Sequence, residues 1–408
     1  MSPADNHPTA EGPPGPGDAR TVPPAAAAAG VTATGPPVPE AVEPPARVTT
    51  LELFFDLVFA FTLTQLTTLL ASGFSAARIV QVLLIFGLLW WMHSGYVWLT
   101  NARTPSRAPE RLLLLLGMVG FLIIGLSIPH AFGGAGERGR DALALGLGYL
   151  LVVAVHSGLY LRVNRNIWRI LPFNLGSALL LVIAGLTPAP AAYALWGAAF
   201  ALQVFAAVFV RLAGRFEIQP EHFVERLGSL LIVAFGESVA DVGIGAAGHR
   251  VTVNLALSAA LGLALTAALW WAFFGTADDD RAARSLARAD RADRPRLVLV
   301  AYFYTYIPML LGIVAIAAGL KTAVGHPGAA LTAGPAFALA GGVTLFLVGD
   351  VLFRWVLHTG IPWYRAAAAA AALAAWPVAV TVDVAAGIAL LTAMVAVALI
   401  AEQATVKA

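Results

Sequence analysis

The sequence predicts an all-α polytopic membrane protein of about twelve transmembrane helices, arranged as two parallel six-helix repeats. Three observations carry that expectation. Of 408 residues, 59% are hydrophobic and 12% charged, with a mean hydropathy of +0.80, whereas soluble domains run to about a quarter charged. Apolar runs of about 20 residues, enough to cross a bilayer, recur from Leu51 to the C-terminus. Landmarks of the first half also return, in order, in the second.

The first 46 residues are a different material, rich in Pro, Ala and Gly, as in Pro13-Pro14-Gly15-Pro16. They cannot bury enough apolar surface to order themselves, so 1–46 is expected to be a disordered cytoplasmic tail. The segment lacks the basic start and compact apolar core of a signal peptide. Spans are then expected at 51–71, 77–99, 110–132, 142–161, 170–186, 191–211, 222–246, 252–275, 297–319, 333–353, 366–382 and 384–401. The even-numbered connections hold Arg103, Arg107, Arg111, Arg165, Arg169, Arg215 and the run from Arg281 to Arg296. The opposite connections hold only Arg78, Arg138, Arg140, Arg250 and Lys321. By the positive-inside rule both termini lie in the cytoplasm, and the cell (inner or plasma) membrane is the expected location. The Asp278-Asp279-Asp280 run opens an Arg- and Ala-rich cytoplasmic loop; it fits an acidic helix start with basic residues following, and a soluble amphipathic turn is the plain reading.

The duplication rests on four matches. Glu52 and Glu225 open spans one and seven (225 − 52 = 173), and Leu89-Trp90-Trp91 matches Leu269-Trp270-Trp271 (269 − 89 = 180). Arg111-Leu112 matches Arg296-Leu297 (296 − 111 = 185), and Trp168-Arg169 matches Trp363-Tyr364-Arg365 (363 − 168 = 195). Offsets that rise steadily fit loops that lengthened after a duplication. Repeats at 47–215 and 216–402 would each return the chain to one side of the membrane, and would share a cavity between them.

Composition also excludes chemistry. With no cysteine there is no disulfide, thiolate nucleophile or sulfur-ligated metal. A net charge of +2, without a basic patch interleaved with aromatics, gives no reason to expect nucleic acid. No nucleophile–base constellation or phosphate-binding glycine loop appears, so neither nucleotide hydrolysis nor a cofactor is expected. His93, His130 and His156 lie on three spans without the spacing of a helical ligand set, so no metal is expected.

What remains is charge inside apolar segments, which is expensive and marks function by default. Glu52 and Asp56 lie four apart on one helical face, where they repel unless a cation neutralises them or one is protonated. A helix cap is the plain alternative, set against the apolar bulk of Leu53, Phe54, Phe55 and Leu57. Gln65 supplies a polar group about 20 Å deeper. In span seven, the adjacent Glu225 and Arg226 point to different faces, and Arg226 is the natural cation for Glu52 or Asp56 if the repeats face each other. Glu237 lies about 18 Å further along, near mid-membrane, and Asp241 follows one turn later. A structural carboxylate is the alternative for both. As secondary candidates, Asp350 and Arg354 are spaced for an intrahelical ion pair, at a position that approximates His156 to Arg162 in the first repeat. Tyr302 and Tyr306 precede Pro308 and would line a cavity or form an interfacial aromatic belt.

These residues resemble a family. Leu51-Glu52-Leu53-Phe54-Phe55-Asp56-Leu57-Val58-Phe59, continuing to Thr64-Gln65-Leu66, is similar to the opening signature of the bacterial low temperature requirement protein A family. His222-Phe223-Val224-Glu225-Arg226-Leu227-Gly228, with Gly236-Glu237-Ser238, resembles its second signature. The resemblance covers about residues 48 to 402, departing at Ser229 and Ala234, where bulkier apolar residues are usual. The family is named for a growth phenotype in the cold, so the resemblance supports Glu52, Asp56, Gln65, Glu225, Arg226 and Glu237 as site residues without implying a substrate.

The leading expectation is a proton-coupled secondary transporter that uses these carboxylates on an unknown small molecule, ion or lipid. A membrane-embedded enzyme acting on a lipid or isoprenoid-like substrate by carboxylate acid/base chemistry is the alternative. A third is a non-catalytic component that orders lipid or scaffolds partners. The bilayer is the one partner composition names, and oligomeric state is not legible.

Overall fold

The computed structural model describes residues 48–132, 138–161, 163, 167–188, 190–209, 219–275, 278–290, 292–360 and 363–407. The expected disordered tail at 1–46, and the joint between the expected repeats at 215–216, lie outside the described residues.

The described chain is helical apart from one isolated bridge, between Ala330 and Asp383. The first half supplies α1 (Thr50–Ala71), α2 (Ala76–Ala102), α3 (Ala108–Ser127), α4 (Arg138–Tyr160), α5 (Ile167–Leu186) and α6 (Ala191–Phe209). The second supplies α7 (Pro220–Ala246), α8 (Val253–Phe274), α9 (Asp278–Arg288), α10 (Arg294–Val298) and a π-helical segment (Leu299–Tyr304). It continues through α11 (Tyr306–Val324), α12 (Ala333–Leu357), α13 (Trp363–Ala374), α14 (Trp376–Ala379) and α15 (Val384–Lys407). Local sequence sets several starts. Thr49, Ser75 and Thr252 side chains accept N–H groups that the first helical turn leaves unpaired, and Pro220 opens α7, where its missing N–H costs nothing.

Among the described residues, eleven helices are long and apolar enough to cross a membrane, with α10, the π segment and α11 counted as one. The chain is a multi-pass membrane protein. The expected unbroken span at 366–382 is corrected to two short helices, α13 and α14. Pro377 is the cause: it has no N–H to donate and its ring clashes with the preceding turn, so the helix breaks at Ala375. The pair still runs the length of the bundle. Val384 N–H donates to the Ala329 carbonyl (3.1 Å) and Trp376 Nε1 to that of Ala333 (3.2 Å), so the segment returns to the level of the α11–α12 connection. A second break has the same origin. Pro308 returns no N–H to the π segment, and Trp90 Nε1 donates instead to the Phe303 carbonyl at 3.0 Å.

The acidic run at Asp278 starts an eleven-residue helix, α9, which lays Ala282 and Leu286 inward against the bundle. Ser285 Oγ donates to the Leu357 carbonyl at 2.7 Å, which ties α9 to the end of α12.

Helix neighbours follow one pattern in both halves. α1 packs on α3, α3 on α4, α4 on α5 and α5 on α6; α7 packs on α11, α11 on α12, α12 on α13 and α13 on α15. Glycines set the closest crossings. A Cβ on Gly148 would lie 3.0 Å from the Gly120 carbonyl oxygen, and one on Gly342 would lie 2.8 Å from that of Gly312. Such contacts let α3 cross α4, and α11 cross α12, backbone to backbone. Between the halves α1 runs beside α7 and α11, and it is this seam that holds the charges.

Candidate functional site

At the start of α1, the sequence Thr49-Thr50-Leu51-Glu52 forms a capping box. Glu52 Oε2 accepts from Thr49 N (2.9 Å) and Thr49 Oγ1 (2.8 Å). That leaves Oε1 to accept from Arg226 Nη1 at 3.0 Å, so Glu52 both caps α1 and ties it to α7. One turn later Asp56 takes the fork of Arg226 on both oxygens: Nε to Oδ2 and Nη2 to Oδ1, each 3.1 Å. Arg226 Nη1 also donates to Thr100 Oγ1 of α2.

Two histidines complete the cluster. His93 of α2 donates from Nε2 to Asp56 Oδ1 at 2.9 Å, its ring stacked on Phe59 with centroids 4.0 Å apart. His222 of α7 sits 3.3 Å from Glu52 Oε2 through Nε2 and 3.3 Å from Asn101 Nδ2 through Nδ1. Asn101 has only protons to offer there, which assigns the His222 proton to Nε2, facing Glu52. All five ionisable groups are buried. Two carboxylates share the one guanidinium, and each also meets one imidazole. The sequence flagged His93 only as a possible metal ligand and His222 only as part of a motif; their partners come from α1, which no local signal names. The expected apolar wrapping of the pair is corrected as well. Leu53, Phe54 and Leu57 are exposed, because 100° per residue carries them to the outer face, while Phe55 turns inward. Glu225 is exposed and accepts from Val48 N–H at 3.3 Å, on a different face from Arg226.

Deeper along the same seam, Thr64 Oγ1 donates to Glu237 Oε2 at 2.6 Å. One turn further, Lys321 of α11 reaches across: its Nζ is 3.0 Å from Thr68 Oγ1 and 3.5 Å from Asp241 Oδ1. Asp241 is fully buried and Glu237 half-buried. Gln65, also half-buried, stands beside Thr64 but is not part of these contacts, so the expected deep polar group of α1 is Thr64. The polar pairs ascend in step, 52 with 226, 64 with 237, and 68 with 241 through Lys321, so α1 and α7 run parallel.

The remaining candidates lie elsewhere. Asp350 and Arg354 join a larger network with Arg365 of α13 and Glu402 of α15. Arg365 Nη1 donates to Asp350 Oδ2 at 2.6 Å and its Nε to Glu402 Oε2 at 2.8 Å, while Arg354 Nη1 donates to Glu402 Oε1 at 2.5 Å. These two arginines and two carboxylates are equal in number and opposite in formal charge. His156 is buried on α4 between the rings of Tyr96 (5.2 Å) and Tyr160 (5.3 Å), and Gly95 makes room for it. Tyr302 and Tyr306 are core residues packed on Phe353, which removes the interfacial-belt reading for both. Tyr302 also lines a small crevice with Trp98, Phe223 and Phe303. Among the described residues, no group of three or more His, Cys, Asp or Glu side chains is placed to hold a metal ion.

A bundle of membrane-length helices, with polar and charged contacts along the seam of two parallel ones, defines an integral membrane protein with a buried charge network. The chain matches the family model of the bacterial low temperature requirement A protein over residues 47–401, and it belongs to that family. It is also similar to a Rhizobium meliloti (strain 1021) protein described as "Uncharacterized protein RA0937", with 26% identity over 339 residues, covering 76% of this chain and 78% of that one.

Proposed function

We propose that this protein is a proton-coupled secondary transporter of the cell membrane, with both termini cytoplasmic and a small molecule, ion or lipid as substrate. One observation carries the reading: the α1–α7 seam is polar at three successive depths, from the Arg226 cluster through Thr64–Glu237 to Asp241–Lys321. Charges are costly in a bilayer and persist where they mark a pathway.

The layers differ in what they can do. Asp56 is clamped by a bidentate guanidinium, so changing its protonation state means breaking a buried ion pair. Glu237 is held by a neutral hydroxyl, so it can take up and release a proton without that cost. Glu237 is therefore the carrier, and the Arg226 cluster is the joint that breaks and remakes as the halves rock.

An arrangement as two parallel six-helix repeats, 47–215 and 216–402, would serve the same mechanism. The matched glycine crossings continue the sequence offsets (312 − 120 = 192 and 342 − 148 = 194), and His156 and Asp350 share the latter (350 − 156 = 194). Equivalent residues of the two repeats would meet at the axis between them, and Thr64 and Glu237, 173 apart, are such a pair.

Purified protein in liposomes that enclose a pH dye tests the reading under imposed proton gradients. Wild type is expected to pass protons, and folded Glu237→Gln is expected not to. Equal flux from both proteins removes Glu237 from the path.

A further inference from the structure

The end of the seam away from the Arg226 cluster has oxygen ligands and charge that a proton carrier alone does not require. Thr64 and Thr68 lie one turn apart on α1, facing Glu237 and Asp241, one turn apart on α7. Thr68 Oγ1 donates its proton to the Thr64 carbonyl at 3.0 Å, so its lone pairs face the Lys321 ammonium. Neither carboxylate oxygen of Asp241 makes a hydrogen bond, although the residue is fully buried and its contact with Lys321 is 3.5 Å. Ser238, one turn before Asp241 on the same stripe of α7, is buried at 1% exposure, and its Oγ has no hydrogen-bond partner among the described residues.

Charge points the same way. Glu237, Asp241 and Lys321 sum to a formal −1, one positive charge short of balance (−2 + 1 = −1). The C-terminal ends of α1, α7 and α11 gather here, and their unpaired carbonyls favour a cation. Gly245 brings the backbone of α7 directly onto the Lys321 carbonyl, which fixes these ends together.

We propose that Asp241, Ser238, Thr68 and Glu237 form a binding site for a monovalent alkali cation, with the Lys321 ammonium as its built-in competitor. The missing positive charge is supplied either by a proton on Glu237 or by the metal ion, so the two exchange one for one. This deepens the reading of the seam as a transport path and rests on it for what the cation does; binding itself is measured without flux.

The test is the apparent melting temperature of the full chain in detergent, titrated with NaCl or KCl against choline chloride at equal ionic strength, together with radioactive sodium binding. Alkali salt is expected to raise the melting temperature of wild type above that in choline. In Lys321→Ala the half-saturating concentration is expected to fall about tenfold or more, because the competing charge is gone. Asp241→Asn is expected to abolish the effect, and Thr68→Val to weaken it should Asp241→Asn not fold. Absence of any alkali-specific shift or sodium binding in folded wild type and Lys321→Ala overturns the site. That result leaves the proton reading standing, since flux and Glu237→Gln decide that separately.

Discussion

Thr64 on α1 donates a 2.6 Å hydrogen bond to Glu237 on α7, and the two are 173 residues apart, the offset that also separates Glu52 from Glu225. Under the proposed duplication the contact would join equivalent positions of the two halves. It sits between a closed ion-pair cluster at one end of the seam and a lysine-spanned carboxylate at the other.

Thr64→Val keeps the shape of the side chain and removes the donor. Leaving Glu237 half-buried without it is expected to cost about 1–3 kcal/mol of stability. Proton flux per folded molecule is expected to fall as well. Denaturation in detergent and the liposome dye assay read the two effects separately.

Arg226→Met leaves Glu52 and Asp56 buried without their cation. The expected loss is about 3–5 kcal/mol, seen as a lower melting temperature or folded yield. Arg226→Lys is expected to recover only part of it, because an ammonium cannot occupy both Asp56 oxygens and Glu52 in one planar fork.

The second network should behave as a fastener. Arg365→Met leaves Asp350 and Glu402 without their shared guanidinium and is expected to cost about 3–5 kcal/mol in the same melting assay. Flux per folded molecule is expected to remain at the wild-type level, because α12, α13 and α15 carry this network away from the α1–α7 seam.

Gly342→Val would force a side chain against the Gly312 carbonyl, where a Cβ alone already falls within 2.8 Å. Backbone cannot move aside as a flexible side chain can, so destabilisation of about 1–3 kcal/mol or more is expected. Gly341→Val, whose added Cβ would meet only the Phe337 ring at 3.9 Å, is the control expected to melt close to wild type.

Much of this architecture was legible because the bilayer imposes it: each apolar run of about 20 residues had to become a helix. Where reading failed, a local rule or a distant partner intervened. Pro377 split a span that hydropathy alone renders continuous. Glu52 and Asp56 stood out as carboxylates in apolar frames, and Arg226 was their natural cation, since a buried carboxylate needs an opposite charge nearby. His93 and His222 were visible, but their partners were not, because those pairings depend on how α2 and α7 rotate against α1. Lys321 entered only as a loop charge marking topology, yet its four-carbon stem reaches back to Asp241. Arg365 and Glu402 were passed over for the same reason, each at the edge of a span with its counter-charge on another helix.

Infrared difference spectroscopy of the reconstituted protein, stepped between high and low pH, tests the role of Glu237 most directly. A protonated-carboxyl band that appears on acidification, shifts in heavy water and is missing from Glu237→Gln is the expected result. The same band persisting unchanged in folded Glu237→Gln, or no such band in wild type, would contradict the assignment of the proton to Glu237.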